Sequence, residues 1–180
     1  SLLDLLRALD RNRFEPIAVV PGPGALADEL KRADVRTLFL PVKRFRKTRN
    51  PIRLAVYGIN LVTVSWRLAR LIRRERIDLL HANSNTAQLY AGLAAQWVGL
   101  PCVWHCRDLV KLGWLGRWMA ARASRIVCIS EAVRAQLAAE GLAGKAVVIP
   151  NGIDAGAFAG KAEGADLRRE WKLGAGSFLV

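Results

Sequence analysis

Six short apolar runs separated by helical patterns constrain this chain more than any other feature. The runs are PIAVVP (16–21), RTLFLP (36–41), IDLLHA (77–82), PCVWHC (101–106), RIVCIS (125–130) and KAVVIP (145–150). Between them ALADELKRA (25–33), NTAQLYAGLAAQWVG (85–99) and EAVRAQLAAEG (131–141) repeat apolar residues at three- and four-residue steps. Gly99 and Gly141 stand where helix C-terminal caps belong. Parallel strands cannot be joined by a tight turn, so strands alternating with helices predict a parallel sheet with crossovers. The expected fold class is therefore α/β: a Rossmann-like, doubly wound parallel sheet of six strands with helices on both faces. A composition of 52% apolar and 24% charged residues over 180 positions fits one such domain with its own core.

No apolar run reaches the roughly 18 to 20 residues of a membrane span. The opening SLLDLLRALD is too acidic and too helical for a signal peptide, so a cytoplasmic location is expected. The chain starts with Ser and stops at GSFLV, an apolar strand beginning without a partner, and reads as a fragment. Cys102, Cys106 and Cys128 form no disulfide framework, which suits a reducing compartment. Cys102 and Cys128 fall inside apolar strands and read as small core residues. Cys106, His105 and His81 are too few and too irregularly spaced for a zinc site, so no metal is expected. Cys106 and His105 are adjacent on a strand, point to opposite faces and make a poor nucleophile–base pair.

In such sheets ligands collect outside the carboxyl ends of the strands, where loops and helix N-termini converge. Those ends carry HANSN (81–85), HCRD (105–108), SEA (130–132) and NGID (151–154), whereas the opposite ends carry RERID, VGLP and ARASR. Four consecutive strands thus deliver hydrogen-bonding residues to one rim. Ser130 and Asn85 also stand where they could cap helices. The PGPG at 21–24 reads as a turn, because it lacks the spacing of a dinucleotide loop.

Taken in order, HA ending one strand, WH..D the next, ISEAV the next and IPNGID..F the last resemble the N-terminal domain of GT-B nucleotide-sugar glycosyltransferases, specifically the retaining family 4. The match covers about half the chain. The resemblance implies a two-domain enzyme that transfers a sugar from a nucleotide diphosphate to an acceptor hydroxyl with retention. This chain would be its acceptor side, with residues 1–160 the Rossmann-like domain lacking a first strand and Gly-rich loop. Residues 161–180 would hold the linker and the start of the donor domain. No cofactor is implied beyond the nucleotide-sugar donor. His105 would lie near the transferred sugar, where fixed hydrogen-bonding groups meet developing charge. Asp108 would position an acceptor hydroxyl or act as base; a salt bridge with Arg107 or a helix cap accounts for it equally well. His81, Asn83, Ser84, Arg107, Ser130, Asn151 and Gly152 are the candidates for binding acceptor or substrate.

The formal charge is +13, and between positions 35 and 74 there are eleven basic residues and no acidic one. The stretch KRFRKTRNPIR (43–53) precedes a long helical pattern in which Leu61, Val64, Leu68 and Leu71 form a stripe expected to pack on the sheet. Lys43, Arg44, Phe45, Arg46, Lys47, Arg49 and Arg53 read as a contact for an anionic membrane surface, giving a peripheral attachment on the inner membrane face. A solvated basic loop is the plainer alternative. No nucleic-acid fold motif accompanies the charge, so nucleic acid is not expected as a partner. Two other functions remain open on the sequence: a sugar-nucleotide epimerase of the same fold, and a non-enzymatic module that binds polyanions or membranes.

Overall fold

The computed structural model describes residues 2–43, 48, 50–153, 155–158 and 171–172. The elements, in chain order, are α1 (Leu2–Ala8), β1 (Ile17–Val20), α2 (Ala25–Arg32), β2 (Arg36–Phe39), α3 (Pro51–Arg74), β3 (Leu80–Ala82) and α4 (Asn85–Val98). Then follow β4 (Cys102–Cys106), α5 (Gly113–Ala121), β5 (Arg125–Cys128), α6 (Glu131–Ala139), a 3-10 turn (Ala143–Lys145), β6 (Ala146–Val148) and the short α7 (Ala155–Phe158). The result is the expected α/β class, with parallel sheets and helices on both sides. Each of the six apolar runs contains a strand.

The six strands do not form one continuous ladder. β1 pairs with β2, and β3-β4-β5-β6 form a separate parallel sheet. Among the described residues β1 and β3 each have one strand neighbour, so each leaves one edge of backbone donors and acceptors unpaired. A cleft of about 980 Å³ separates them, with Ile17, Val19 and Val20 on one side and Leu80, His81 and Ala82 on the other.

Strand alternation positions the core. Ala82, Trp104, Cys106, Ile126 and Cys128 are all buried, and they pack with Val64, Leu68 and Ile72 of α3, Leu89 and Tyr90 of α4, and Leu137 of α6. Of the stripe expected along α3, Val64 and Leu68 are buried, and Leu61 and Leu71 are partly buried against the same core. Two polar side chains enter this core with partners. The Ser65 hydroxyl donates to the Tyr90 carbonyl at 3.1 Å, and Gln88 Nε2 donates to the Met119 carbonyl at 3.0 Å. A smaller cluster, Leu6, Val20, Ala27, Leu30 and Val35, joins α1 and α2 to the two-stranded sheet.

The helix ends follow local chemistry. Asn50 caps α3 by accepting from Ile52 N at 2.9 Å and Arg53 N at 3.2 Å, with Pro51 at the first helical position. Gly99 ends α4 in the left-handed region at φ 74°, which a side chain rarely tolerates, and Gly141 lies just past α6 at φ 73°. α5 is an addition to the helices expected from sequence. Its N-terminus is held from a distance: the Glu140 carboxylate accepts from Leu112 N at 3.1 Å and Gly113 N at 2.6 Å.

Candidate functional site

The site begins with register. His81 lies opposite Val103 and Ala82 opposite Trp104, so alternation puts His81 and His105 on one face of the sheet and Trp104 on the other. The two imidazoles approach to 5.4 Å between ring centroids, tilted by 35°. Burial pushes the pKa of each below the ordinary histidine value, and the neighbouring His81 and Arg107 charges push His105 further in the same direction. Both rings are therefore neutral near pH 7, each with one N–H donor and one acceptor nitrogen. Neither ring nitrogen of His105 has a hydrogen-bond partner among the described residues, and the buried Oδ1 of Asn83 has none either.

Asn85 organises the approach to this pair. Its side chain sits on the first turn of α4, where Oδ1 accepts from Trp104 Nε1 at 3.2 Å and Nδ2 donates to the Asp108 carboxylate at 3.1 Å. A buried tryptophan on one strand is thus connected through a single amide to a carboxylate beyond the strand's end. Asp108 makes no ion pair with Arg107 among the described residues, and it caps no helix. The helix-capping role open to Asn85 falls to Ser84, whose hydroxyl accepts from Ala87 N at 3.1 Å. Ser130 caps α6 in the same way, accepting from Val133 N at 3.3 Å.

His81, Asn83, Ser84 and Asp108 all line the cleft between β1 and β3. His105, Arg107, Ser130, Asn151 and Gly152 do not line it, and the last two are exposed beyond β6. Cys106 faces the core, as its strand parity requires, and burial pushes its thiol up to about 11. At that value it is protonated and is no nucleophile at neutral pH. Among the described residues no three His, Cys, Asp or Glu side chains gather as a metal site. Of the basic segment, Lys43 lines a second pocket and Arg53 lies in the first turn of α3. Arg44, Phe45, Arg46, Lys47 and Arg49 lie outside the described residues.

A family model for Glycosyltransferase Family 4 matches residues 1–156. The chain belongs to that family. This family 4 domain is 29% identical over 178 residues to the UDP-Gal:alpha-D-GlcNAc-diphosphoundecaprenol alpha-1,3-galactosyltransferase of Escherichia coli, covering 90% of the chain and 43% of that protein. Its fold matches Anabaena Alr3699/HepE, solved in complex with UDP and glucose, with a TM-score of 0.69 at 18% identity over 94% of this chain and 45% of that one. A glycosyltransferase from Rickettsia africae superposes with a TM-score of 0.67 at 16% identity, covering 97% and 45%. Acinetobacter baumannii MurG does so at 0.57 and 16%, covering 89% and 42%. The family 4 domain thus spans less than half the length of each of these proteins.

The histidine pair makes stability depend on pH. Because the folded pKa values lie below the unfolded value of about 6.5, the unfolded chain binds more protons in that interval, and stability rises with pH. The midpoint of thermal unfolding should hold above about pH 7 and fall as pH drops through about 6.5 and below. A His81→Asn/His105→Asn variant should show a shallower fall. Equal slopes would mean that other groups carry the acid sensitivity.

Proposed function

We propose that this chain is the acceptor side of a retaining glycosyltransferase that moves a hexose from a nucleotide-diphosphate donor to the hydroxyl of a glycan or lipid-linked acceptor. The observation that carries this reading is the His81–His105 pair at adjacent strand ends in a family 4 domain, with both His105 nitrogens unpartnered among the described residues and His81, Asn83 and Asp108 lining the neighbouring cleft. Two names support it: the Escherichia coli relative is a galactosyltransferase acting on a diphosphoundecaprenol-linked sugar, and the Anabaena protein is solved with UDP and glucose.

In the reaction His105 donates a hydrogen bond to the sugar or the departing oxygen, where a fixed donor in a partly dry site acts most strongly as charge develops. Its neutrality suits this role, since the ring offers a donor without repelling the oxocarbenium charge. Asp108, held by Asn85, orients the acceptor hydroxyl or takes its proton. His81 and Asn83 contact the acceptor, and Arg107 supplies positive charge beside the rim. Ser84, Ser130, Asn151 and Gly152 are secondary contacts, and both serines already serve as helix caps.

The division at residue 160 belongs to the same proposal. Residues 1–160 form the acceptor domain, and 161–180 lead toward a donor domain. The reaction draws on the donor sugar nucleotide and the acceptor, with no separate cofactor. The protein works in the cytoplasm, peripheral on the inner membrane face, with residues 43–53 facing anionic lipid. No described helix is long and apolar enough to cross a membrane.

The test is transfer by the complete protein from a panel of UDP-sugars to undecaprenyl-diphosphate-linked and soluble glycan acceptors, with product anomers assigned by NMR. Retained configuration is expected. An inverted product would overturn the retaining assignment, and donor turnover to a free 2-epimer without transfer would favour an epimerase.

A further inference from the structure

α3 is apolar on two faces, and the fold uses one of them. The inward face meets the core through Val64, Leu68 and Ile72. The outward face shows Ile52, Val56, Ile59 and Trp66, at helical spacing, with 74% of Ile52, 66% of Ile59 and 51% of Trp66 exposed. Arg70 stacks its guanidinium over the Trp66 ring at 4.9 Å, a cation–aromatic pair that fits the boundary between water and lipid.

Next to that stripe, about a quarter turn round the helix, lies a pocket of about 370 Å³. Asn60, Thr63 and Arg67 of α3 form one wall, and Pro21, Pro41 and Lys43, just past the ends of β1 and β2, form the other. The volume is within the range of small-molecule sites. The pocket is held in shape from the core: the Tyr90 hydroxyl lies 2.8 Å from the Lys43 carbonyl and 2.7 Å from Asn60 Oδ1. Thr63 donates its hydroxyl to the Ile59 carbonyl, which leaves Lys43, Arg67 and the Asn60 amide as the donors available to a ligand. Neither Lys43 nor Arg67 makes an ion pair among the described residues, and no acidic residue occurs from position 35 to 74. Two unneutralised cations and an amide in one pocket select an anion with several acceptor oxygens, and phosphate is the fitting group.

We propose that this pocket binds the phosphate or diphosphate of a lipid-linked acceptor, with the adjoining hydrocarbon lying along Ile52, Val56, Ile59 and Trp66. The pocket alone would accept a soluble phosphate; the unpartnered apolar stripe beside it is what assigns the ligand to a lipid. This deepens the lipid-linked form of the proposed function and rests on it. It also gives α3, rather than the basic segment 43–53 alone, the task of orienting the acceptor toward the rim.

The test uses the complete protein and co-sedimentation with phosphatidylcholine vesicles containing undecaprenyl diphosphate, undecaprenol, or enough phosphatidylglycerol to match the charge of the diphosphate vesicles. Wild type should bind the diphosphate vesicles at least about tenfold more tightly than either of the others, on the scale of one charge-assisted contact. Lys43→Gln/Arg67→Gln should erase that preference. Lys43→Arg/Arg67→Lys, which keeps both charges, should retain most of it and guards against a folding defect. Ile59→Ser/Trp66→Ser should weaken vesicle binding while leaving the affinity for inorganic diphosphate, measured by calorimetry, unchanged. Equal binding to phosphatidylglycerol vesicles, or a preference that survives removal of both cations, would overturn the site. Inorganic diphosphate binding as tightly as the lipid would overturn the lipid assignment. No sugar transfer enters these measurements, so an active enzyme without the preference sinks this inference alone, and a protein that shows it yet transfers to no lipid-linked acceptor sinks the lipid-linked form of the proposed function.

Discussion

Replacing His105 by alanine in the complete protein should lower turnover by about 10²-fold or more, the scale on which one preorganised contact to a developing charge acts. The loss should fall on kcat more than on the KM for donor or acceptor, because the contact proposed for this ring strengthens in the transition state. His105 sits at a strand tip without hydrogen-bond partners for either nitrogen, so removing the ring breaks no hydrogen bond within the described structure. The fold should survive, and the melting midpoint of the variant at pH 8 should stay near that of wild type. A turnover that remains within about threefold of wild type in a folded variant would make the ring a passive part of the rim. His81→Ala provides a contrast: its ring lies 5.4 Å from His105 and lines the cleft, so its loss should raise the acceptor KM more than it lowers kcat.

The largest stability effect is expected at Trp104. Its side chain is fully buried in the middle strand of the core, and truncation to alanine leaves a cavity the size of an indole. Such changes cost about 3 to 5 kcal/mol, a large part of the roughly 5 to 15 kcal/mol that a domain possesses. Denaturant unfolding should show a midpoint shifted by that amount, or a protein that does not fold. Trp104→Phe separates packing from polarity. It fills most of the space but removes the indole N–H that Asn85 Oδ1 accepts at 3.2 Å. That variant should lose about 1 to 2 kcal/mol, and its activity should fall further than its stability explains, since Asn85 also holds Asp108. An alanine variant destabilised by less than about 1 kcal/mol would show that the core closes around the gap.

Much of the fold is legible in the sequence because its signals are local. A β-rich apolar run bounded by proline or glycine, such as PIAVVP or KAVVIP, is a strong local strand signal, and each of the six apolar runs contains a strand. Gly99 and Gly141 mark helix ends because only glycine adopts the left-handed backbone there readily. α5 carries no comparable signal. Gly113 and Gly116 lower its intrinsic propensity, and the group that steadies its first turn is Glu140, well over twenty residues away in the chain.

The candidate site divides in the same manner. The sequence by itself determined which residues reach the strand ends and, because parity within a strand is a property of the chain, that His105 faces away from Trp104 and Cys106; the register that sets His81 on the face of His105 is tertiary. The sequence also determined the density of positive charge between 35 and 74. Tertiary structure alone decided how these residues are used. The separation of six parallel strands into two ladders, the capture of Asp108 by Asn85 rather than Arg107, and the pocket that Lys43 shares with Arg67 all join residues distant along the chain. The outward apolar face of α3 belongs with them: the stripe read from periodicity, Leu61, Val64, Leu68 and Leu71, is the one that packs on the core, and the exposure of a second stripe shows only in the packed structure. Contacts of that kind arise from packing between elements, whose free energy depends on which surfaces meet, and no local pattern encodes that choice.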